Sequence, residues 1–218
     1  QRKASLSVIF LTVFIDLMGF GILIPILPTF ASKALGISDF GIGTIVAVYS
    51  LMQFLFNPVL GKISDKIGRR PLILISLFTT FASYIMFSFA GSFVVLFLSR
   101  LISGVGGSNI GVAQAYIADV TPKADRSKGM GMIGAAFGLG FVFGPLAGGL
   151  LSAYSYQVAG FGAAGFSLLA LIFAFFALPE SLKDKQPEKE FKLRIFDVPF
   201  TIETFKHPLI GFLIFLTF

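Results

Sequence analysis

Two ionisable residues lie inside stretches that are otherwise apolar, and these are the places where chemistry can occur. Asp16 falls in the run from Leu6 to Phe30, and Arg100 falls in the run from Phe93 to Asp119. If the first run crosses a bilayer as a helix, roughly ten residues at about 1.5 Å each carry the carboxylate ~15 Å deep. An ionised side chain at that depth costs at least ~2.5 to 3.5 kcal/mol, so it must face a cavity, a partner or a proton. Asp16 is then either a neutral or paired acid that only holds helices together, or a carboxyl that takes and releases a proton. Arg100 needs a counter-charge or water unless it snorkels outward. Asp16 is the acid at comparable depth, so both are expected at one cavity, where they can pair directly or through water.

Neutral polar residues extend the pattern. Tyr49, Gln53 and Asn57 recur every four positions in the second apolar run, which puts them on one helical face. Such a face lines a solute path or glues helices together in lipid. Asn109 and Gln114 follow Arg100 among Gly104, Gly106, Gly107 and Gly111, and are further candidates for the cavity wall. Other chemistries find little support. The chain has no cysteine, hence no disulfide and no thiolate metal site. Its single histidine, His207, sits at the edge of the last apolar run and is assigned to the membrane interface. No glycine loop ends in Lys-Ser or Lys-Thr, so ATP hydrolysis is not expected. No enzyme, metal or cofactor is read from this sequence.

The elements that position these residues are membrane helices. Hydrophobic residues make up 56%, charged residues 13%, and mean hydropathy is +0.89, against an apolar share of about 45 to 50% in soluble domains. Strands of a barrel would alternate in polarity over about ten residues, and no such alternation occurs. Six runs reach spanning length: Leu6 to Phe30, Phe40 to Ile63, Leu72 to Phe89, Phe93 to Asp119, Met130 to Ala153 and Val158 to Leu178. Pro25 and Pro28 predict a kink near the outer end of the first. The fold class is all-α integral membrane, with residues 1–178 as a six-helix bundle. Residues 179–207 mix acids and bases with Pro187 and Pro199 and read as a cytosolic linker; Phe191, Leu193, Ile195 and Phe196 within it suit a segment lying on the membrane or a disordered tether. Residues 208–218 begin a seventh span but end after about eleven residues, only ~16 Å of rise. A fragment of a longer transporter is therefore expected.

Charge orients the bundle. Between spans two and three, residues 61–71 form a short turn carrying Lys62, Asp65, Lys66, Arg69 and Arg70, and residues 121–129 carry Lys123, Asp125, Arg126 and Lys128. Of the 17 Lys and Arg, all but Lys33 and Arg100 fall on one side, which marks that side and the amino terminus as cytoplasmic. The net charge of +6 is accounted for by this topology and by anionic lipid, with no nucleic-acid partner. A repeat is also visible. Phe54-Leu55-Phe56-Asn57-Pro58-Val59-Leu60-Gly61 aligns with Phe141-Val142-Phe143-Gly144-Pro145-Leu146-Ala147-Gly148, 87 residues later. The two copies run in opposite directions, the trace of inverted three-helix units. Span five is dense in glycine and needs a partner packed closely against it.

Three patterns resemble the major facilitator superfamily, and the resemblance covers essentially the whole chain. Gly61-x-x-x-Asp65-x-x-Gly68-Arg69-Arg70 resembles the superfamily's loop between spans two and three, with Lys62-Ile63 where small and leucine residues are usual. By that resemblance Asp65 would cap a helix of the missing half and Arg69 would pair with Asp119, forming a conformational latch. Arg100-x-x-x-Gly104 resembles the span-four motif whose arginine is implicated in proton coupling. Gly131, Gly140, Gly144, Pro145, Gly148 and Gly149 fit the antiporter signature of span five, which favours export. Asp16-Leu17-Met18-Gly19-Phe20-Gly21 is similar to span one of the twelve-span tetracycline and multidrug proton antiporters. The resemblance implies the amino-terminal half of such a transporter, in a bacterial inner membrane, with a small solute, protons, membrane lipids and the missing carboxy-terminal half as partners. The implied activity is alternating-access export against protons, with Asp16 and Arg100 coupling the proton. A uniporter or symporter of the same fold, or a non-transporting scaffold, are the alternatives. The 28 phenylalanines and absent tryptophan suggest a hydrophobic solute.

Overall fold

Seven α-helices and two short 3-10 turns account for nearly all of residues 6–182, which are the residues the computed structural model describes. The linker residues Phe191, Leu193, Ile195, Phe196 and His207, and the start of a seventh span at 208–218, lie outside the described residues. Helix α1 is Leu6–Lys33, α2 is Asp39–Ile67, α3 is Arg69–Ser88, α4 is Phe93–Gly106, α5 is Ile110–Val120, α6 is Arg126–Ser152 and α7 is Tyr156–Ala177. Among the described residues there is no strand. Six segments are long and apolar enough to cross a membrane, α4 and α5 together forming the fourth.

Local sequence explains where these helices start. Ser38, Ser92 and Ser155 stand at the N-caps of α2, α4 and α7, each hydroxyl accepting from the amide three residues on. Such caps satisfy one of the free amides of a first turn. Pro25 and Pro28 lie inside α1, which continues through both to Lys33; the expected kink does not end the helix. The charged stretch 61–71 is also not the turn expected from its composition. Helix α2 runs on through Ile67 and α3 starts at Arg69, so Gly68 is the one residue between them. Its φ of 111° is a conformation that L side chains rarely adopt. Span four, expected as one helix, is broken at its centre by a 3-10 turn over Gly107–Asn109.

Helix pairing follows the small residues. Helix α1 packs mainly on α6 and α7, α4 packs on α2 and α3, and α3 meets α7. Swapping the first three spans with the last three maps this set of pairings onto itself, which matches the 87-residue repeat. The α1–α6 seam requires glycine. A Cβ on Gly144 would stand 2.6 Å from the Gly21 Cα, and one on Gly148 would stand 2.6 Å from the Ile22 carbonyl oxygen. Gly140 fits against Leu17 on the same seam. Gly131 and Gly149 face open space instead, so the glycine signature of α6 is divided between two faces, with Pro145 held inside the helix.

Two apolar clusters close the bundle above and below its middle. One gathers Ile9, Leu17, Leu72, Leu77, Tyr116 and Ile117 towards the charged end. The other gathers Ile22, Phe30, Tyr84, Phe87, Leu96 and Ala163 towards the opposite end. The polar residues of interest lie in the layer between.

Candidate functional site

A cavity of about 460 Å³ opens in that middle layer, walled by α1, α2, α3, α4, the 3-10 turn and α6. Its size falls in the range of about 300 to 1,000 Å³ typical of drug-sized ligands. Asp16, Arg100, Tyr49, Gln53 and Asn109 all line it. Asn57 and Gln114 do not. Asn57 packs against Gly111 on the neighbouring helix, whose missing side chain lets the two segments close there, and Gln114 is turned to the exposed surface of α5. The four-residue spacing of Tyr49, Gln53 and Asn57 thus follows one face along its length, but the cavity occupies only the upper two turns of it.

Asp16 is held by neutral donors. Asn109 Nδ2 donates to Asp16 Oδ2 at 3.2 Å, and the Ser167 hydroxyl lies 3.3 Å from Asp16 Oδ1. The same Ser167 oxygen lies 3.2 Å from the Leu77 carbonyl oxygen. One hydroxyl proton therefore has two acceptors within reach. Asn109 reaches Asp16 because it closes the 3-10 turn that interrupts span four. That turn also frees the Gly107 carbonyl, which accepts from Gln53 Nε2 at 3.0 Å. Gln53 Nε2 also lies 3.3 Å from Tyr49 Oη.

Arg100 makes no ion pair with Asp16. The direct pairing open at the sequence level is not formed; the carboxylate accepts instead from Ser167 of α7 and from Asn109 of the broken span. The guanidinium instead lies between rings, its Cζ 5.6 Å from the Tyr84 centroid and 5.4 Å from that of Phe87. Such contacts stabilise a cation by about 0.5 to 2 kcal/mol. Its Nε and Nη2 have no hydrogen-bond partner among the described residues, and neither do the hydroxyls of Ser103 and Thr80, which line the same cavity. Aromatic rings make up much of the remaining wall: Phe20 stacks on Tyr49 at 5.2 Å, and Phe141 joins Phe20 to Phe137.

At the charged end, Arg69 gathers the other predicted polar residues. It is buried, with Nε 3.2 Å from Asp119 Oδ2 and Nη2 2.5 Å from Asp65 Oδ1. Its Nη1 donates to the Gly61 carbonyl and to the Ser64 hydroxyl. Arg70 donates to the Phe175 carbonyl at 2.7 Å and lies over the Phe175 ring. Asp65 keeps much of its side chain in solvent.

Sequence reasoning missed three residues here. Glu180, expected in a linker, accepts from the Arg69 amide at 2.9 Å and the Arg70 amide at 3.3 Å. Gly68 gives α3 no capping side chain and Pro71 has no N–H, so this distant carboxylate takes the capping role. Ser181 donates to Asp119 Oδ2 at 3.1 Å, and Tyr116 donates to the Pro179 carbonyl at 3.0 Å. The uncapped start of α3 was the available signal for Glu180. Ser167 offered only a hydroxyl in an apolar run.

The Major Facilitator Superfamily model matches residues 9–218. The tetracycline resistance protein, class E, of Escherichia coli is 39% identical over 182 residues, covering 83% of this chain and 45% of that protein. Multidrug resistance protein 2 of Bacillus subtilis (strain 168) is 31% identical over 183 residues, covering 84% and 46%. A crystal structure of the human organic anion transporter MFSD10 superposes with a TM-score of 0.73 at 31% identity, over 85% of this chain and 50% of that one. The chain spans about half the length of the relatives it matches.

Proposed function

Because the chain belongs to the Major Facilitator Superfamily, we propose that it forms the amino-terminal half of a transporter that exports small, hydrophobic, drug-like solutes in exchange for protons by alternating access. The observation that carries this reading is the Asp16 carboxylate, which lines a mid-span cavity and is held by Asn109 and Ser167 without a salt bridge. A carboxylate held by neutral donors can lose and regain a proton without breaking an ion pair. When Asp16 is ionised, Ser167 donates to it. When Asp16 is protonated, its own O–H donates to the Ser167 oxygen, whose proton turns to the Leu77 carbonyl. Arg100 lines the same cavity and responds to the charge on Asp16 at longer range. The relatives named for tetracycline and multidrug resistance support a drug-like solute and the export direction.

The charged end faces the cytoplasm in this reading, in a bacterial inner membrane, since cations are retained on that side. Asp65, with its partly exposed carboxylate, reaches towards the carboxy-terminal half, while Arg69 and Asp119 hold it in place. That contact forms only when the cytoplasmic side is closed, and so favours the outward-facing state. A charge change at Asp16 needs to shift the two states by only a few kcal/mol to reverse their populations.

The test is efflux from proteoliposomes of the full-length protein under an imposed pH gradient, with a panel of tetracyclines and lipophilic cations. Gradient-driven efflux should fall to the level of empty vesicles in Asp16→Asn, with the protein still folded. Undiminished coupled efflux in that variant removes Asp16 as the proton site.

A further inference from the structure

The proton exchange described above uses only the charge of Arg100 and leaves its hydrogen-bonding edge without a task. Arg100 is 3% exposed, and both of its nitrogens lacking a partner, Nε and Nη2, lie on the same edge of the guanidinium. That edge presents two parallel N–H groups, the fork that matches the two oxygens of a carboxylate. The guanidinium carbon already lies over the rings of Tyr84 and Phe87, both from α3, and the unpaired edge is the part left for a new partner. Ser103 follows one turn later on α4, and Thr80 comes from α3; each lines the same cavity and each hydroxyl oxygen has no partner. Asp16 is not the acceptor in this structure: no ion pair joins it to Arg100, and its oxygens accept from Asn109 and Ser167.

We propose that the unpaired edge of Arg100, with the Ser103 and Thr80 hydroxyls beside it, binds a carboxylate or similar planar oxyanion carried by an aromatic solute. This rests on the reading of the cavity as the solute site and specifies the chemistry of that solute. Leaving charged donors buried without an acceptor is costly, and an incoming oxyanion recovers that cost at the moment of binding. The rings of Phe20, Tyr49, Phe137 and Phe141 on the same cavity supply the apolar, stacking surface for the rest of the molecule. Donors gathered at one wall and rings on the others describe an aromatic acid better than a lipophilic cation, for which Arg100 is repulsive.

The experiment is equilibrium binding, without any pH gradient, to the full-length protein in phosphatidylcholine nanodiscs. Three probes share one ring system: 2-naphthoate, the neutral 2-naphthamide and the cationic 2-naphthylmethylammonium. The naphthoate should bind about tenfold tighter than the amide, as expected for a charge-assisted fork, and the cation more weakly than either. Arg100→Met removes both the charge and the fork, and should abolish most of that preference; Ser103→Ala should weaken naphthoate alone by about threefold. Equal binding of naphthoate and naphthamide by the wild-type protein means that water alone fills the edge, and overturns the proposal whether or not any variant folds. A preference that survives Arg100→Met overturns it as well. If the anion preference is absent while gradient-driven efflux persists, the site falls and the exporter reading stands. If the preference is present but Asp16→Asn leaves coupled efflux intact, the exporter mechanism falls and the anion site stands.

Discussion

Arg69 and Arg100 are both buried guanidinium groups on membrane-spanning segments, yet their surroundings are opposite. Every nitrogen of Arg69 has an acceptor, supplied by Asp119, Asp65, Ser64 and the Gly61 carbonyl. Arg100 lies over two aromatic rings and has two nitrogens with no acceptor among the described residues. A guanidinium with all its donors engaged inside the protein holds helices in one arrangement, because any movement must break several charge-assisted bonds together. One left with a free edge has its strongest interaction still to make. The contrast separates an end of the bundle whose arginine is fully engaged from a middle whose arginine is not.

Removing each arginine should therefore have different consequences. Arg69→Met strips two carboxylates of their counter-charge and should cost about 2 to 4 kcal/mol of stability, somewhat below the fully buried case because Asp65 touches solvent. Thermal unfolding of the purified full-length protein in detergent measures it; an unchanged midpoint would show that the charged end is not a fastening. Glu180→Ala comes next, at about 1 to 2 kcal/mol, since it deprives the first turn of α3 of the carboxylate that accepts from its Arg69 and Arg70 amides. Its amide protons at Arg69 and Arg70 should then exchange with solvent faster than in the wild type. Arg100→Met should change stability by less than about 1 kcal/mol in either direction, because the lost ring contacts are offset by relief of an unpaired buried charge. A loss as large as that of Arg69→Met would contradict the distinction between the two sites.

Much of the chain is legible before any coordinates. Length and hydropathy place the six spans to within a few residues, because a bilayer imposes both on every segment independently. The repeat of Phe-x-Phe-x-Pro-x-x-Gly anticipates the exchangeable helix pairings, since like sequences pack on like neighbours. Asp16 and Arg100 stand out for the same reason as the spans do: charge in an apolar run is expensive wherever the helix lies. The glycine spacing of α6 announces a close seam, but Gly140, Gly144 and Gly148 meet α1 while Gly131 and Gly149 do not. Spacing cannot tell a face that meets α1 from one left open.

The partners of each polar group became visible only in three dimensions. Hydropathy says that a segment crosses the membrane and leaves its rotation and tilt to the neighbouring helices. The packing of the neighbouring helices brings Asp16 to Asn109 and Ser167 and not to Arg100. The break at Gly107–Asn109 and the single-residue link at Gly68 belong to the same class, since each depends on what the adjacent helices allow. Glu180 shows the limit most plainly: it stands 111 residues from the amide it caps, and no local pattern connects them. Burial, span and charge asymmetry are properties of each segment in its solvent, and the sequence alone determined them. Which donor meets which acceptor is a property of the packed bundle, and only the tertiary structure decided it.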